Sequence, residues 1–238
     1  KKILVFGGSS FFANSFYNYK KNNYDFIFVE NLTSINLPVR KLKLNDKNLE
    51  DKIKSSKVNF AINLIALTNV DQCEKNPVKA DFLNNKLAKK IAIMMNKLSI
   101  KLIHVSTDQV FNGKKNIYNE KDKAKPINIY GLTKLKGEKS VHKSHKCSIV
   151  LRTNFVGWDF QHRDKFLDKI FKNLSLNKKV KISKNIFFNP VTTYELSDAI
   201  EKIIFEDFKK NDLFHISSSF KISKYDFVKK LARKMNYN

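Results

Sequence analysis

Cysteine, glycine and proline are scarce in this chain of 238 residues, which contains 2 Cys, 6 Gly and 4 Pro. The two cysteines, Cys73 and Cys147, stand alone and lack the paired spacing of a zinc site or a disulfide framework. We therefore expect no metal site and a reducing, cytoplasmic setting. No apolar run approaches the length needed to cross a bilayer, and the apolar stretch near residue 1 is too short for a signal peptide, so we expect no membrane partner.

Acidic residues are also few, since 22 Asp and Glu stand against 46 Lys and Arg, a formal net charge of +24. A basic surface attracts phosphate backbones. Nearly all of these cations are lysines spread over every segment, however, and arginine occurs only at Arg40, Arg152, Arg163 and Arg233. Proteins that read bases favour arginine for its fork geometry. We therefore expect no nucleic-acid partner, and we interpret the lysines as a solvated surface that suits a small anionic substrate.

Apolar runs alternate with helical periodicity along the chain as far as Arg152. Continuous, β-branched-rich runs are typical of strands covered on both faces. They predict strands at Ile3–Phe6, Phe26–Val29, Phe60–Ile65, Leu102–Val105 and Ser148–Leu151. The intervening periodicity predicts helices near Asn14–Lys20, Leu49–Ser55, Val78–Leu98 and Ile129–Val141. This strict alternation predicts an α/β fold with a Rossmann-type doubly wound parallel sheet.

The pattern changes after Arg152, where the elements become shorter and less regular. They are predicted as a helix near Asp164–Leu174, a strand at Val180–Ile182, a helix at Tyr194–Phe205, a strand at Leu213–Ile216 and a helix at Lys224–Met235. We therefore expect a first domain over residues 1–153 and a smaller C-terminal lobe over 154–238. We expect this lobe to interleave partly with the first domain and to be incomplete at its C-terminal end.

The first predicted strand ends on Gly7, and the sequence GGSSFFA then leads into a helix. Gly7, Ser10 and Ala13 fit the G-x-x-G-x-x-G frame of a dinucleotide-binding turn, whose glycines allow the tight turn, the approach of the pyrophosphate and the packing of the helix. Alanine is accepted at the third place, whereas Ser10 puts a side chain beside the phosphates. A left-handed conformation at Ser10 or a neighbour would cost about 1–2 kcal/mol, or about tenfold in affinity. A plain strand–turn–helix without a ligand explains the loop equally well.

Glu30 supports the dinucleotide interpretation, because it ends the second predicted strand. An acid at this place accepts hydrogen bonds from the ribose hydroxyls of the adenosine. Because a carboxylate repels a 2′-phosphate, Glu30 favours NADH over NADPH. A solvated loop acid is the alternative interpretation.

Tyr130 and Lys134, in the segment IYGLTK, are four residues apart at the start of a predicted helix and therefore project from the same face. A free phenol has a pKa of about 10, and a neighbouring ammonium lowers it, so that tyrosine can protonate a developing alkoxide. Upstream, Ser106, Thr107 and Asp108 follow a predicted strand, at the sheet edge where ligands of this fold bind, and Thr107 can hydrogen-bond the reacting oxygen. A surface Tyr–Lys pair would explain the spacing alone, but the order of loop, strand end and pair favours catalysis.

These motifs resemble an extended short-chain dehydrogenase/reductase, and within that group they are most similar to the dTDP-4-dehydrorhamnose reductase branch. The most specific segments are STDQVFNG and IYNEKDKAKPINIYGLTKLKGE. The resemblance covers nearly the whole chain, through KILVFGGSS, AINLIALTNVDQCEKNP, NNKLAKKIA, LRTNFVGW, FNPVTTYELSDAI and LFHISSS. It implies an NAD(P)-binding Rossmann-like domain over residues 1–153 and a substrate-binding lobe over 154–238. The implied reaction is the NAD(P)H-dependent reduction of a keto group on a nucleotide-activated deoxysugar.

The resemblance also implies a role for individual residues. The catalytic residues would be Thr107, Tyr130 as the proton donor and Lys134, which would also hydrogen-bond the nicotinamide ribose. Cofactor contacts would come from Gly7, Ser9, Ser10, Phe11, Phe12, Glu30, Ala66, Leu67, Thr68 and Asn84. Substrate contacts would come from Asp108, Gln109, Asn154, Phe155, Asn189 and Thr192. The resemblance further admits a homodimer.

Gln109 helps to choose among the relatives of this branch. Sugar-nucleotide 4,6-dehydratases resemble this layout but carry Asp-Glu after the threonine, because elimination needs both an acid and a base. This chain has Asp108 followed by Gln109, and an amide cannot carry that proton, so dehydratase activity is disfavoured. The reductases usually have tyrosine where Gln109 stands. A sugar-nucleotide epimerase stays open, as does a non-catalytic regulatory or binding protein of this fold, such as a regulatory subunit of methionine adenosyltransferase.

Overall fold

The computed structural model describes residues 1–30, 37–115, 117–158, 166–206 and 208–237. The strands are β1 (Lys2–Phe6), β2 (Asp25–Glu30), β3 (Arg40–Lys43), β4 (Phe60–Asn63), β5 (Lys101–Thr107), β6 (Ser148–Thr153), β7 (Phe155–Val156), β8 (Phe187–Phe188), β9 (Val191–Thr192), β10 (Asp212–Ile216) and β11 (Ile222–Ser223). The helices are α1 (Phe11–Lys20), α2 (Leu49–Ser55), α3 (Val70–Lys75), α4 (Pro77–Asp81), α5 (Leu87–Lys97), α6 (Ile129–Ser144), α7 (Phe166–Ser175), α8 (Thr193–Glu206) and α9 (Lys224–Lys234). A π-helical turn (Phe82–Lys86) joins α4 to α5, and a 3-10 turn (Asp108–Val110) follows β5.

A seven-stranded sheet forms the centre of the fold, in the order β10-β6-β5-β4-β1-β2-β3. All of its neighbouring strands run parallel. The chain order reverses between β1 and β4, so a crevice opens at the carboxyl ends of these two strands. The predicted Rossmann-type α/β fold is confirmed.

Helices cover both faces of the central sheet, which explains why its strands are continuously apolar. On one face, Val5 of β1 packs in a buried cluster with Phe16 of α1 and Ile200 of α8. On the other face, Leu4 of β1 shares a second cluster with Ile91 of α5. Successive residues of β1 therefore belong to opposite layers of the core.

Several predicted boundaries in the first part of the chain are wrong. Strand β5 runs on to Thr107 instead of ending at Val105, so Ser106 and Thr107 lie within the strand and not after it, and β6 runs on to Thr153.

The fourth predicted strand was expected to reach Ile65, but β4 ends at Asn63, because the Ile65 N–H turns to the Asn63 side chain at 3.0 Å. The predicted helix Val78–Leu98 is divided by the π-helical turn, which turns Asn84 into the protein interior. The edge strand β3 was not predicted, because only Leu42 of its four residues is buried.

The last part of the chain adds one strand to the central sheet and forms a separate pair of short strands. No strand forms at Val180–Ile182, whose apolar side chains pack against α7 and α9 as irregular chain, and the short strands β8 and β11 pair instead. Strand β10 joins the central sheet beside β6. The start of the helix predicted near Asp164 lies outside the described residues. The division between residues 153 and 154 stays a prediction.

No helix in the described part of the chain is long and apolar enough to cross a membrane.

Candidate active site

A cavity of about 620 Å³, called here the first cavity, opens at the carboxyl ends of β1 and β4. Its lining includes most of the predicted cofactor residues, namely Gly7, Ser9, Ser10, Phe11, Phe12, Glu30, Ala66 and Thr68. It also includes all three predicted catalytic residues, Thr107, Tyr130 and Lys134. The fold therefore brings the glycine loop, the acid at the end of β2 and the Tyr–Lys pair to one site.

The two glycines of the loop have different structural tasks. Gly7 has a φ of +82°, and a Cβ there would lie 3.1 Å from the backbone nitrogen of Ile65. The chain thus makes its tight turn at Gly7 and passes close to the segment after β4. A Cβ at Gly8 would lie 2.5 Å from Phe28 of β2, so Gly8 allows the loop to pack on the sheet.

Ser10 adopts an ordinary extended conformation and caps α1. Its φ is −67°, and its hydroxyl accepts the N–H of Ala13 at 3.1 Å. The left-handed strain considered from the sequence therefore does not arise at Ser10, and Gly7 is the loop residue with a positive φ. The serine turns its hydroxyl to the helix N-terminus and still lines the first cavity.

Aromatic side chains form the wall between the glycine loop and β7. Phe155 of β7 lies with its ring centroid 5.2 Å from both Phe11 and Phe12 of α1. Phe155, expected from the sequence to contact substrate, lines the first cavity rather than the second one described below.

The Tyr130 phenol and the Lys134 ammonium both reach the first cavity from α6. Asn128 caps this helix by accepting the N–H of Gly131 at 2.7 Å, which fixes the first turn that carries Tyr130. The Lys134 ammonium donates to the carbonyl oxygen of Val105 at 2.7 Å. The Thr107 hydroxyl accepts the backbone N–H of Gln109 at 3.2 Å and lies at the end of β5.

Burial controls the acid–base properties of this group. Loss of water around the phenol raises the pKa of Tyr130 to about 12, and a hydrogen bond with Thr107 acts in the opposite direction. The expected lowering of the Tyr130 pKa is therefore wrong, because desolvation dominates. Burial also lowers the pKa of Lys134 to about 8, which Glu138 partly offsets. Tyr130 thus holds its proton throughout the neutral range, and Lys134 carries a charge at pH 7.

Asn84 and Leu67, also predicted as cofactor residues, are not in the lining of the first cavity. The Asn84 amide accepts the Leu67 N–H at 2.7 Å and donates to the Leu67 carbonyl at 3.1 Å. It also donates to the Thr133 hydroxyl of α6 at 3.0 Å. Asn84 therefore ties the segment after β4 to α6 and supports the cavity wall from behind.

A second cavity, of about 880 Å³, adjoins the first and shares Gln109, Thr153 and Asn154 with it. Four of the predicted substrate residues line it, namely Asp108, Gln109, Asn154 and Asn189. Thr192 does not, since its exposed hydroxyl instead pairs with Glu195 at 2.9 Å.

Several residues of the second cavity were not predicted from the sequence. Its cationic lining comes from Lys115, Arg152, Lys221 and Lys224, and its aromatic lining from Phe111, Tyr118, Phe187, Phe188 and His215. The lysines at 221 and 224 flank the cap of α9, in the segment KISK, but such pairs are too common in this lysine-rich chain to stand out. The second cavity is therefore basic and partly aromatic.

Arg152 is held by a buried acid that was also not predicted. The Arg152 guanidinium donates to Glu138 at 3.0 Å and 2.7 Å, and the Ser106 hydroxyl donates to the same carboxylate at 2.5 Å. Arg152 also lies 5.0 Å from the ring centroid of Phe111. These contacts fix Arg152 between the sheet and the second cavity.

The sequence profile of the RmlD substrate binding domain matches residues 1–238. The chain belongs to this family. The resemblance to the dTDP-4-dehydrorhamnose reductase branch is thereby confirmed. Among curated proteins, Bacillus subtilis spore coat polysaccharide biosynthesis protein SpsK is 30% identical over 171 residues, which are 71% of this chain and 58% of that protein.

A dTDP-4-dehydrorhamnose reductase from Sinorhizobium fredii is 28% identical over 183 residues, 74% of this chain and 61% of that enzyme. The chain thus spans about three fifths of the length of these curated relatives. Among solved structures, a hypothetical dTDP-4-dehydrorhamnose reductase from Sulfolobus tokodaii is 28% identical, with a TM-score of 0.84 over 100% of this chain and 83% of that chain.

Proposed function

We propose that this RmlD-family chain carries out the NAD(P)H-dependent reduction of a keto group on a nucleotide-activated deoxysugar, with Tyr130 as the proton donor. The observation that carries the proposal is the convergence of Thr107, Tyr130 and Lys134 on the first cavity, at the point where a second, basic cavity adjoins it. The reductase names of relatives in the same family support the reaction class.

The first cavity fits a nicotinamide dinucleotide. Gly7 leaves a cradle against Ile65 that a Cβ would fill, next to the N-terminus of α1, where backbone N–H groups suit a pyrophosphate. Glu30 lies in the lining at the end of β2, where a carboxylate suits ribose hydroxyls and disfavours a 2′-phosphate. We therefore propose that NADH is preferred over NADPH. When bound, the cofactor supplies a hydride to the carbonyl carbon.

The residues of this chain supply the proton and hold the reacting oxygen. As the ketone becomes a secondary alcohol, its oxygen gains negative charge and takes the phenol proton of Tyr130. A phenol with a pKa of about 12 is still a stronger acid than an alcohol, so this transfer runs downhill. The Lys134 ammonium stabilises the phenolate that remains, and the Thr107 hydroxyl positions the oxygen.

The second cavity fits the nucleotide part of the substrate. Its lysines and Arg152 suit a diphosphate, and Phe111 and Phe187 offer apolar surface for a base. Because the two cavities meet at Gln109 and Asn154, the sugar would lie between Tyr130 and the nucleotide. The homodimer and the cytoplasmic setting stay predictions.

The test is the loss of nicotinamide absorbance with NADH and with NADPH, on dTDP-4-keto-6-deoxyhexose. Tyr130→Phe should lower kcat by about 10²–10⁴-fold without changing cofactor affinity. Tyr19→Phe, which removes a hydroxyl from the exposed side of α1, is the matched control and should keep full turnover.

Other outcomes would separate the alternatives. Interconversion of two sugar nucleotides without net cofactor consumption would identify an epimerase. Cofactor binding with no turnover of any sugar nucleotide would favour a binding or regulatory protein and contradict the proposal.

A further inference from the structure

Two side-chain amides, Gln109 and Asn154, lie where the first and second cavities meet. The mechanism above uses Thr107 and Tyr130 on the reacting oxygen and Lys134 on the phenolate, and it leaves both amides without a task. Each is half-buried and held by a hydrogen bond to a neighbouring side chain. These bonds decide which end of each amide faces the cavities.

The Gln109 amide is oriented by the cap of α6. The Asn128 side-chain oxygen accepts the N–H of Gly131 at 2.7 Å, so the other end of the Asn128 amide is its NH₂ group. That NH₂ group donates to Oε1 of Gln109 at 3.2 Å. The free end of Gln109 is therefore its own NH₂ group, which has no protein acceptor among the residues that the structure describes. Gln109 offers the cavities a donor.

The backbone at Gln109 is equally fixed. A Cβ at Gly131 would lie 2.1 Å from the Gln109 carbonyl oxygen, so the glycine lets α6 press against the 3-10 turn. The Gln109 N–H also donates to Thr107 at 3.2 Å. The donor thus has a set position relative to the catalytic threonine.

The Asn154 amide is oriented in the opposite sense. Its NH₂ group donates to Oδ2 of Asp108 at 2.9 Å, and the other oxygen of that carboxylate accepts from Thr107 at 3.2 Å. The Asn154 backbone carbonyl accepts a hydrogen bond from the N–H of Val191 at 3.1 Å. The side-chain oxygen of Asn154 receives no hydrogen bond from the described part of the protein, so Asn154 offers the cavities an acceptor.

We propose that Gln109 and Asn154 form a donor–acceptor pair that selects sugars with a free hydroxyl on the carbon next to the carbonyl. This inference rests on the proposed function. A hydroxyl accepts and donates at once, so it satisfies both amides, whereas a CH₂ group satisfies neither. The substrate class is then an α-hydroxyketone sugar nucleotide, and an analogue with hydrogen at that carbon should bind about 10- to 100-fold more weakly.

The experiment measures binding, so that it does not depend on turnover. The probes are dTDP-6-deoxyglucose and dTDP-3,6-dideoxyglucose, titrated calorimetrically against the full chain in the presence of NAD. Gln109→Met keeps the length of the side chain and removes its hydrogen-bonding groups. Gln72→Met, the same change on the exposed surface of α3, is the matched control.

The wild type and Gln72→Met should prefer the hydroxylated probe by at least about tenfold, and Gln109→Met should lose most of this preference with unchanged NAD affinity. Equal affinity of the wild type for both probes, or an unchanged preference in Gln109→Met, would overturn the inference even if the enzyme reduces a keto sugar. Selective binding without any turnover would instead keep the inference and reject the reductase function.

Discussion

The ammonium nitrogen of Lys134 lies 2.7 Å from the carbonyl oxygen of Val105, two residues before Thr107 on the same strand. This bond joins α6 to β5 and fixes the position of the Lys134 ammonium in the first cavity. Lys134 is only 2% exposed, so its positive charge is held away from water. The same burial that positions the lysine lowers its pKa to about 8.

The alkaline limit of the proposed reductase activity should therefore come from Lys134. Below pH 8 the ammonium is charged and stabilises the phenolate that forms at Tyr130, and as the pH rises through about 8 this charge is lost. Tyr130 itself, with a pKa of about 12, stays protonated over this range. We expect kcat/KM to fall from about pH 8 upwards, measured between pH 6 and 10.

Lys134→Arg provides the control, because a guanidinium keeps its charge at all of these pH values. Its kcat/KM should be lower than that of the wild type but flat through pH 8. An alkaline limb at the same pH in this variant would assign the limb to another group.

Ser10 stands where the dinucleotide-binding frame has its second glycine, and its effect on stability and on cofactor affinity can be tested. Ser10→Ala removes the cap of α1 and should lower the free energy of unfolding by about 1 kcal/mol, whereas Ser10→Gly should cost only a few tenths. Because the Ser10 hydroxyl accepts the Ala13 N–H, Ser10→Gly should change the Kd of NADH by less than about threefold. Urea unfolding and fluorescence titration measure the two quantities.

Ser223→Ala, at the cap of α9, is the matched control for the loop. It should lower stability by a similar amount and leave the Kd of NADH unchanged. A large gain in NADH affinity in Ser10→Gly would show that the serine obstructs the pyrophosphate after all.

The central sheet and the convergence of Thr107, Tyr130 and Lys134 on one cavity could be predicted from the sequence because each depends on local patterns. Continuous apolar strands, the turn at Gly7 and the spacing of Tyr130 and Lys134 each occupy only a few residues. Helical periodicity places Tyr130 and Lys134 on one face of α6, and the parallel sheet places the ends of its strands at one edge. The residues of these patterns therefore meet at the carboxyl edge of the sheet.

The parts that could not be predicted depend on contacts between distant segments. The π-helical turn around Asn84 exists where α6 presses against it, since a Cβ at Gly137 would lie 2.1 Å from the Asn84 carbonyl oxygen. The high pKa of Tyr130 depends on burial, which cannot be read from the spacing of residues along the chain. The pairing of Arg152 with Glu138 joins a strand to a helix. Both residues lie in segments that resemble the family, but nothing in their spacing along the chain pairs them.

The preference between the two cofactors can be tested at Glu30. Glu30→Gln keeps the size of the side chain and removes the charge that disfavours a 2′-phosphate. We expect the ratio of the Kd of NADPH to that of NADH to fall by about tenfold, which corresponds to about 1.4 kcal/mol. Glu206→Gln, which removes an exposed charge at the end of α8, should leave the ratio unchanged. Equal ratios in Glu30→Gln and the wild type would mean that Glu30 does not face the ribose.

The buried pair of Arg152 and Glu138 should be a main determinant of stability. Both side chains are nearly inaccessible, at 7% and 4%, and the carboxylate accepts bonds from both the guanidinium and the Ser106 hydroxyl. Glu138→Gln removes the compensating charge and leaves the guanidinium buried beside a neutral amide. We expect the free energy of unfolding in urea to fall by about 3–5 kcal/mol.

Two comparisons make this prediction specific to the buried charge. The double variant Arg152→Met/Glu138→Met removes both charges and should lose less stability than Glu138→Gln alone, because no uncompensated ion remains. Glu206→Gln breaks an exposed i,i+4 pair with Lys202 and should cost no more than about 0.5 kcal/mol. If Glu138→Gln costs as little as Glu206→Gln, water must reach the guanidinium from the second cavity, and the pair is then not a buried determinant of stability.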